Sequence, residues 1–412
     1  MAGDGLVQGR LTDDSVALMR ERIGFPNPSL RSGVLGDRPW ITAVSVDAIR
    51  NFAVGIGDMN PLYLKPEYAS QTRWGGPIAP PGIEMAMGWR KNRPMEPDFE
   101  KRTSKALRGV HLFHSGTETF YWRPLGLKAE LSFSQWVEDV TQKQSSFGGR
   151  SAIVTNGFNY WDQHEQVCIT GANWFVHTER RTVGEKEKSP SADLRLAPFT
   201  DDQLAEIERA YDQEYIRGSD TLYFEDVTQE MALPRMVKGP MTITDLINMH
   251  MGSGWFTYGN PPFRLAYENR KVLRGFYARN EFNAWDTIQR VHWDAALAQA
   301  VGVPAPYDIG PMRQAFINHY CTNFAGDDAW VLRLRCEFRK FNFMGDVTWL
   351  TGALTHARID ERWGPLIEIS VRGENQRGEE NVRGEATILL PSRVRGPVVL
   401  PDAPPMTPFR AA

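Results

Sequence analysis

The second half of this 412-residue chain repeats the order of elements of the first, and that duplication limits the possible folds more than any other feature. In the first half a helical stretch from Ser45 to Gly55 runs into a loop-rich middle. From Leu107 onward apolar and polar residues alternate, and LFHSGTETFYWRPLG, AELSFSQWVEDV, RSAIVTNGFNYWD and QVCITGANWFVHT predict successive antiparallel strands. In the second half a helical stretch from Thr242 to Gly252 and another loop-rich middle precede WVLRLRCEFRKFNF, VTWLTGALTHARI, LIEISVRGENQRG and VRGEATILLP. A helix packed on such a meander is an α+β unit, and two units suit the length. Between them, ERRTVGEKEKSPSAD reads as a solvated linker, followed by a helix that Thr200 and Gln203 open as a capping box. The expected organisation is a first unit over 1–178, a linker with a helix over 179–222, a second unit over 223–393 and a Pro-rich tail over 394–412. A short helix over 11–23, capped by Thr12, precedes the first unit.

Composition excludes several classes. With 42% hydrophobic and 24% charged residues the chain buries a large core. A net charge of −3, with Lys and Arg dispersed, carries no footprint for a nucleic-acid backbone or an anionic membrane. Three cysteines without a short-spaced pair argue against a disulfide framework or a thiolate zinc site. The acidic N-terminus lacks a signal-peptide pattern, and no apolar run approaches the roughly 20 residues that span a bilayer. A soluble protein of a reducing cytoplasm is expected.

The segment GDMNPLYLKPEYA, from Gly57 to Ala69, and the following GGPIAPPG resemble the signature of the MaoC-like and (R)-specific enoyl-CoA hydratases. Asp58, Asn60, Pro61 and Ala69 match it, whereas Tyr63 stands at the family's catalytic His, Lys65 at its acid and Pro80 at its later His. VHWDAALA in the second half matches the distal part of the same signature, with His292 at the His position and Asp294 at the acid position. Its proximal part is altered: Trp255 replaces the Asp, and an insertion over 256–288 carries Glu268, Asn269, Arg270, Glu281 and Asp286. Downstream, VGVPAPYDIGPM places Asp308 at the later His position, and FRKFNFMGDVTWLTGALT resembles the family's final strand pair.

The resemblance implies a double hot-dog fold, two tandem units each with a long helix wrapped by an antiparallel sheet. It implies a hydro-lyase, an enoyl-CoA hydratase or 3-hydroxyacyl-CoA dehydratase in degradation of an acyl compound such as a fatty acid or steroid. Coenzyme A enters as part of the substrate, no metal or redox cofactor is required, and assembly is as a homo-oligomer or with another hot-dog subunit. Hydration needs a base for water, an acid for C2 and donors for the enolate oxygen. His292 leads as acid/base, with Asp58 and Asn60 next. The backbone near Gly82 or Gly310 is the candidate oxyanion site, and Tyr63, Asp294 and Asp308 complete the candidate substrate contacts.

Two arrangements follow. Either Asp58 and His292 meet across the internal interface, or His292 pairs with Glu268, Glu281 or Asp286 and the first half is a dead copy. The second is favoured, because equivalent loops of a pseudo-twofold pair fall at separate ends. Bland readings stand beside these. Asp58 and Asn60 are ordinary turn formers, and His292 is a packed histidine beside Trp293. Arg339 and Lys340 sit on a solvated strand face, Gly345-Asp346 forms a hairpin turn, and His111, His114 and His177 are structural strand residues. Two rival functions share the fold: a non-catalytic subunit shaping another subunit's tunnel, and an acyl-CoA thioesterase. The aromatic content fits either a roomy acyl tunnel or a packed core.

Overall fold

The computed structural model describes residues 9–28, 33–145, 149–179, 197–254 and 261–406. Trp255, the start of the insertion, most of the charged linker and the end of the tail lie outside them.

The alternating segments form the strands expected. β1 (Trp89–Arg90), β2 (His111–Tyr121), β3 (Leu131–Ser145), β4 (Gly149–Asp162) and β5 (Val167–Thr178) belong to the first half. β6 (Met236–Lys238), β9 (Trp330–Phe338), β10 (Thr348–Asp360), β11 (Gly364–Asn375) and β12 (Glu380–Leu389) belong to the second. Together they make one sheet in the order β1-β3-β4-β5-β2-β9-β12-β11-β10-β6. The halves join where β2 pairs antiparallel with β9, from Gly116 opposite Glu337 to Phe120 opposite Arg333. At this seam Arg333 reaches Glu118 at 2.6 Å. Joining the two meanders edge to edge covers one open strand edge of each half.

Two helices, Val46–Gly55 and Ile243–Ser253, pack against each other across the pseudo-twofold. Ser45 caps the first and Thr242 closes a capping box with Asp245 on the second. Their backbones approach through reciprocal glycines. A Cβ on Gly55 would meet the Asn248 carbonyl oxygen at 2.8 Å, and one on Gly252 the Asn51 carbonyl oxygen at 2.6 Å.

The second half holds the long hot-dog helix, Gly310–Ala325, buried on almost every side. Such a helix is normally apolar all round. This one carries Arg313, Gln314, Asn318, His319 and Asn323 into the interior, and each buried polar group there requires partners. The first half departs from the expected long helix: its counterpart is one 3₁₀ turn, Ile83–Ala86. Pro80 and Pro81 remove two backbone donors in front of it. Gly82 then turns the chain at φ +105° and Gly88 leaves it at φ +100°. The insertion of the second half folds as a helix, Phe263–Val272, and a short hairpin of β7 (Tyr277–Arg279) and β8 (Trp285–Thr287).

Candidate active site

Where the first half has only a 3₁₀ turn, the space beneath its sheet is a cavity of about 550 Å³. Phe133, Phe158, Tyr160 and Phe175 of the first-half strands line one side. The other is formed by Ile288–His292, Tyr307–Pro311 and the first turn of the central helix.

His292, Asp308 and Gly310 all reach this cavity. His292 closes a 3₁₀ turn capped by Thr287. Its Nδ1 lies 2.8 Å from the carbonyl oxygen of Tyr307. A carbonyl only accepts, so Nδ1 carries the proton and Nε2 keeps a lone pair. Burial lowers the imidazole to about 4, against the opposing pull of the Tyr307 and Asp308 backbone, and the ring is neutral at physiological pH.

Asp308 is also buried. Burial pushes its carboxyl up to about 6, although Arg313 and Asn342 pull it down. Arg313 Nε stands 2.8 Å from Oδ2, and Asn342 Nδ2 donates to the same oxygen at 3.3 Å. Oδ1 has no hydrogen-bond partner among the described residues, leaving one carboxyl oxygen available. Arg313 is fixed by donating to the carbonyls of Lys340 at 2.9 Å and Asn381 at 2.7 Å, and it stacks on Phe338.

Gly310 begins the central helix against His114 and Phe338. A Cβ there would meet His114 Nδ1 at 2.8 Å and Phe338 Cε2 at 2.9 Å, so only glycine seats the helix this deeply. Pro311 follows and has no N–H. His111 and His114, expected as structural strand residues, line the cavity. His114 stacks on Phe175 and meets the Gly116 carbonyl at 3.1 Å, and burial lowers it to about 4.

Glu84 belongs to the same cavity. The sequence reading missed it; its only signal was a lone acid within the apolar run IEMAM. It is 6% exposed, and burial pushes its carboxyl up to about 7. The Gly82 N–H donates to Oε2 at 2.8 Å, and Tyr121 Oη donates to Oε1 at 3.4 Å.

The remaining candidates lie elsewhere. The first-half pair, Asp58 and Asn60, lies against the C-terminal part of the central helix. There His319 Nε2 is 3.3 Å from Asp58 and 3.1 Å from Glu214, while Lys238 Nζ is 2.8 Å from His319 Nδ1. Nine residues of helix, roughly 14 Å, separate Gly310 from His319, so Asp58 and His292 do not meet. Asn60 holds its own loop, accepting from Leu62 N–H at 3.0 Å. Tyr63 borders a void of only about 30 Å³, and burial raises its hydroxyl. The Gly82 N–H, a candidate oxyanion donor, is engaged by Glu84.

Asp294 caps helix Ala295–Ala300 and pairs with Arg290 at 2.9 Å, away from the cavity lining. Nor do Glu268, Glu281 and Asp286 line the cavity. Glu268 pairs with Lys271 at 2.7 Å, Glu281 is exposed, and Asp286 accepts from Thr287 N–H at 2.7 Å. The insertion's carboxylates serve the insertion, which corrects the pairing expected for His292.

A family model matches part of the sequence, and solved proteins match the fold. Residues 34–170 match the family model described as FAS1-like, dehydratase domain region. Over the structure, a solved MaoC-like dehydratase superposes with a TM-score of 0.58 at 14% identity, covering 90% of this chain and 99% of that one.

The fold is that of the MaoC-like dehydratases.

A second MaoC domain protein dehydratase, from Chloroflexus aurantiacus, superposes at 0.50 with 11% identity, covering 88% of this chain and 96% of that one. No curated protein matches the sequence. The dehydratase match falls on the first half, whereas His292 and Asp308 come from the second half of the MaoC-like fold. Among the described residues no group of His, Cys, Asp and Glu is arranged to hold a metal, and no helix is long and apolar enough to cross a membrane.

Proposed function

We propose that this protein is a hydro-lyase that adds water across the double bond of a 2-enoyl-CoA thioester, or removes it from the 3-hydroxyacyl-CoA. The observation that carries the reading is the convergence of His292, Asp308 and the start of the central helix on one cavity with an aromatic wall. In hydration, His292 Nε2 takes a proton from water as the water oxygen bonds to C3. The C2–C3 π electrons move toward the thioester carbonyl, whose oxygen becomes the enolate. The Gly310 N–H, at the positive end of the helix, stabilises that charge. The protonated carboxyl of Asp308 delivers its proton to C2, and the proton on His292 then restores Asp308. The atoms of one water are thus divided between C2 and C3. The aromatic wall receives the acyl group, and the pantetheine of CoA remains toward solvent.

Product analysis tests this reading. Purified protein incubated with a 2-enoyl-CoA is expected to lose the enoyl-thioester absorbance and yield 3-hydroxyacyl-CoA with the thioester intact. Release of free CoA thiol would establish a thioesterase instead. No turnover of any enoyl-CoA, together with copurification of a second hot-dog subunit, would establish the non-catalytic partner.

A further inference from the structure

Resting on the hydro-lyase reading, we infer that the acyl group received by this cavity carries a hydroxyl and that Glu84 recognises it. A hydrocarbon tail is best served by an apolar sleeve. Instead, the part of the wall supplied by the first half places Glu84, Gln135, Asn156 and Asn173 among the aromatic rings, with Thr119 and Gln314 beside them. Some of this polarity is internally matched. Asn156 donates to Asn173 at 3.3 Å and Gln314 to Thr119 at 3.4 Å. Glu84 differs, because every group that reaches its carboxyl, the N–H of Gly82, its own N–H and the Tyr121 hydroxyl, donates. The carboxyl keeps acceptor capacity beyond these donors. Its burial under an alkyl chain would leave that capacity unmet, a cost that a ligand hydroxyl removes.

Position agrees with chemistry. Tyr121, which contacts Glu84, accepts from Asn318 at 3.0 Å, and Gln314 reaches the strand that carries Tyr121. These helix residues lie one and two turns beyond Gly310, roughly 6 and 12 Å along the axis. With the thioester carbonyl at Gly310, Glu84 therefore faces an atom several bonds farther along the acyl chain. A site built to hydrogen-bond a hydroxyl rejects the analogue lacking it far more strongly than an apolar pocket rejects an added methylene.

The test uses the full-length protein and two matched series of 2-enoyl-CoAs of increasing chain length, one ending in a hydroxyl and the other in a methyl group. Wild type is expected to favour the hydroxyl series in kcat/KM by about tenfold or more, with a maximum at one chain length. Glu84→Leu is expected to reverse the preference, and Glu84→Gln, which keeps an acceptor and the side-chain shape, to retain part of it. If wild type hydrates methyl-ended substrates equally well or better and neither variant changes the ratio, the inference is overturned while the hydro-lyase reading stands. Hydration of neither series overturns the hydro-lyase reading, and this inference falls with it.

Discussion

Glu84→Gln separates the price of a buried acid from everything else in the fold. Burial moves the Glu84 carboxyl from 4.5 to about 7. Each unit of such a shift corresponds to about 1.4 kcal/mol between the protonation states, so the displacement amounts to roughly 3 kcal/mol. The folded pKa is raised. The proton is therefore bound more tightly by the folded state, and its stabilising contribution is fully present below 4.5 and lost as pH rises through about 7. Glutamine has no such titration. Its amide, however, presents one acceptor where Glu84 presents two, to the Gly82 N–H and the Tyr121 hydroxyl, a fixed cost of about 1–2 kcal/mol at every pH. The informative quantity is therefore the change in the mutant-minus-wild-type difference with pH. Urea unfolding at pH 5 and pH 8 is expected to show the variant gaining about 2.5 kcal/mol relative to wild type between the two, because part of the contribution is already lost at pH 5. A difference that stays the same at both pH values would show that Glu84 is not held protonated by burial.

Other outcomes follow from the same geometry. Gly310→Ala places a Cβ within 2.9 Å of His114 and Phe338, and thermal unfolding is expected to report a loss of about 1–3 kcal/mol, with hydration slowed because the helix start is displaced. Asp58→Asn removes a charge from the buried cluster with His319, Glu214 and Lys238; unfolding is expected to report a loss of about 3 kcal/mol, while kcat/KM of the folded protein stays within about twofold of wild type. The kcat/KM for hydration is expected to rise through about 4 as His292 loses its proton and to fall above about 6 as Asp308 loses its own. A rate that rises through about 6 and stays high at pH 8 would assign Asp308 the role of base.

Local signals made much of the fold legible. Period-two alternation marked the long strands, and Thr12, Ser45, Thr200 and Thr242 cap helices where the sequence placed helix starts. His292 and Asp308, singled out in the sequence by neighbours that resemble a known signature, both line the cavity. What eluded the sequence depends on contacts distant along the chain. Lys238, Glu214 and His319 come from a strand, a loop and the central helix, and charged residues ordinarily read as solvated; only the packed structure shows them satisfying one another. Likewise, Gly82 and Pro80-Pro81 are ordinary turn residues until the fold shows that they replace a long helix with one turn and so leave room for the cavity. Pairing His292 with Glu268, Glu281 or Asp286 failed because proximity in sequence stood in for proximity in space.

The most direct measurement compares wild type, His292→Ala and Asp58→Asn in single-turnover hydration of a 2-enoyl-CoA, with folding of each verified by circular dichroism. The expected result is loss of the enoyl-thioester band by wild type and Asp58→Asn at similar rates, with a drop of about 10²-fold or more for His292→Ala. Equal rates for His292→Ala and wild type would contradict the assignment of this cavity as the seat of the chemistry.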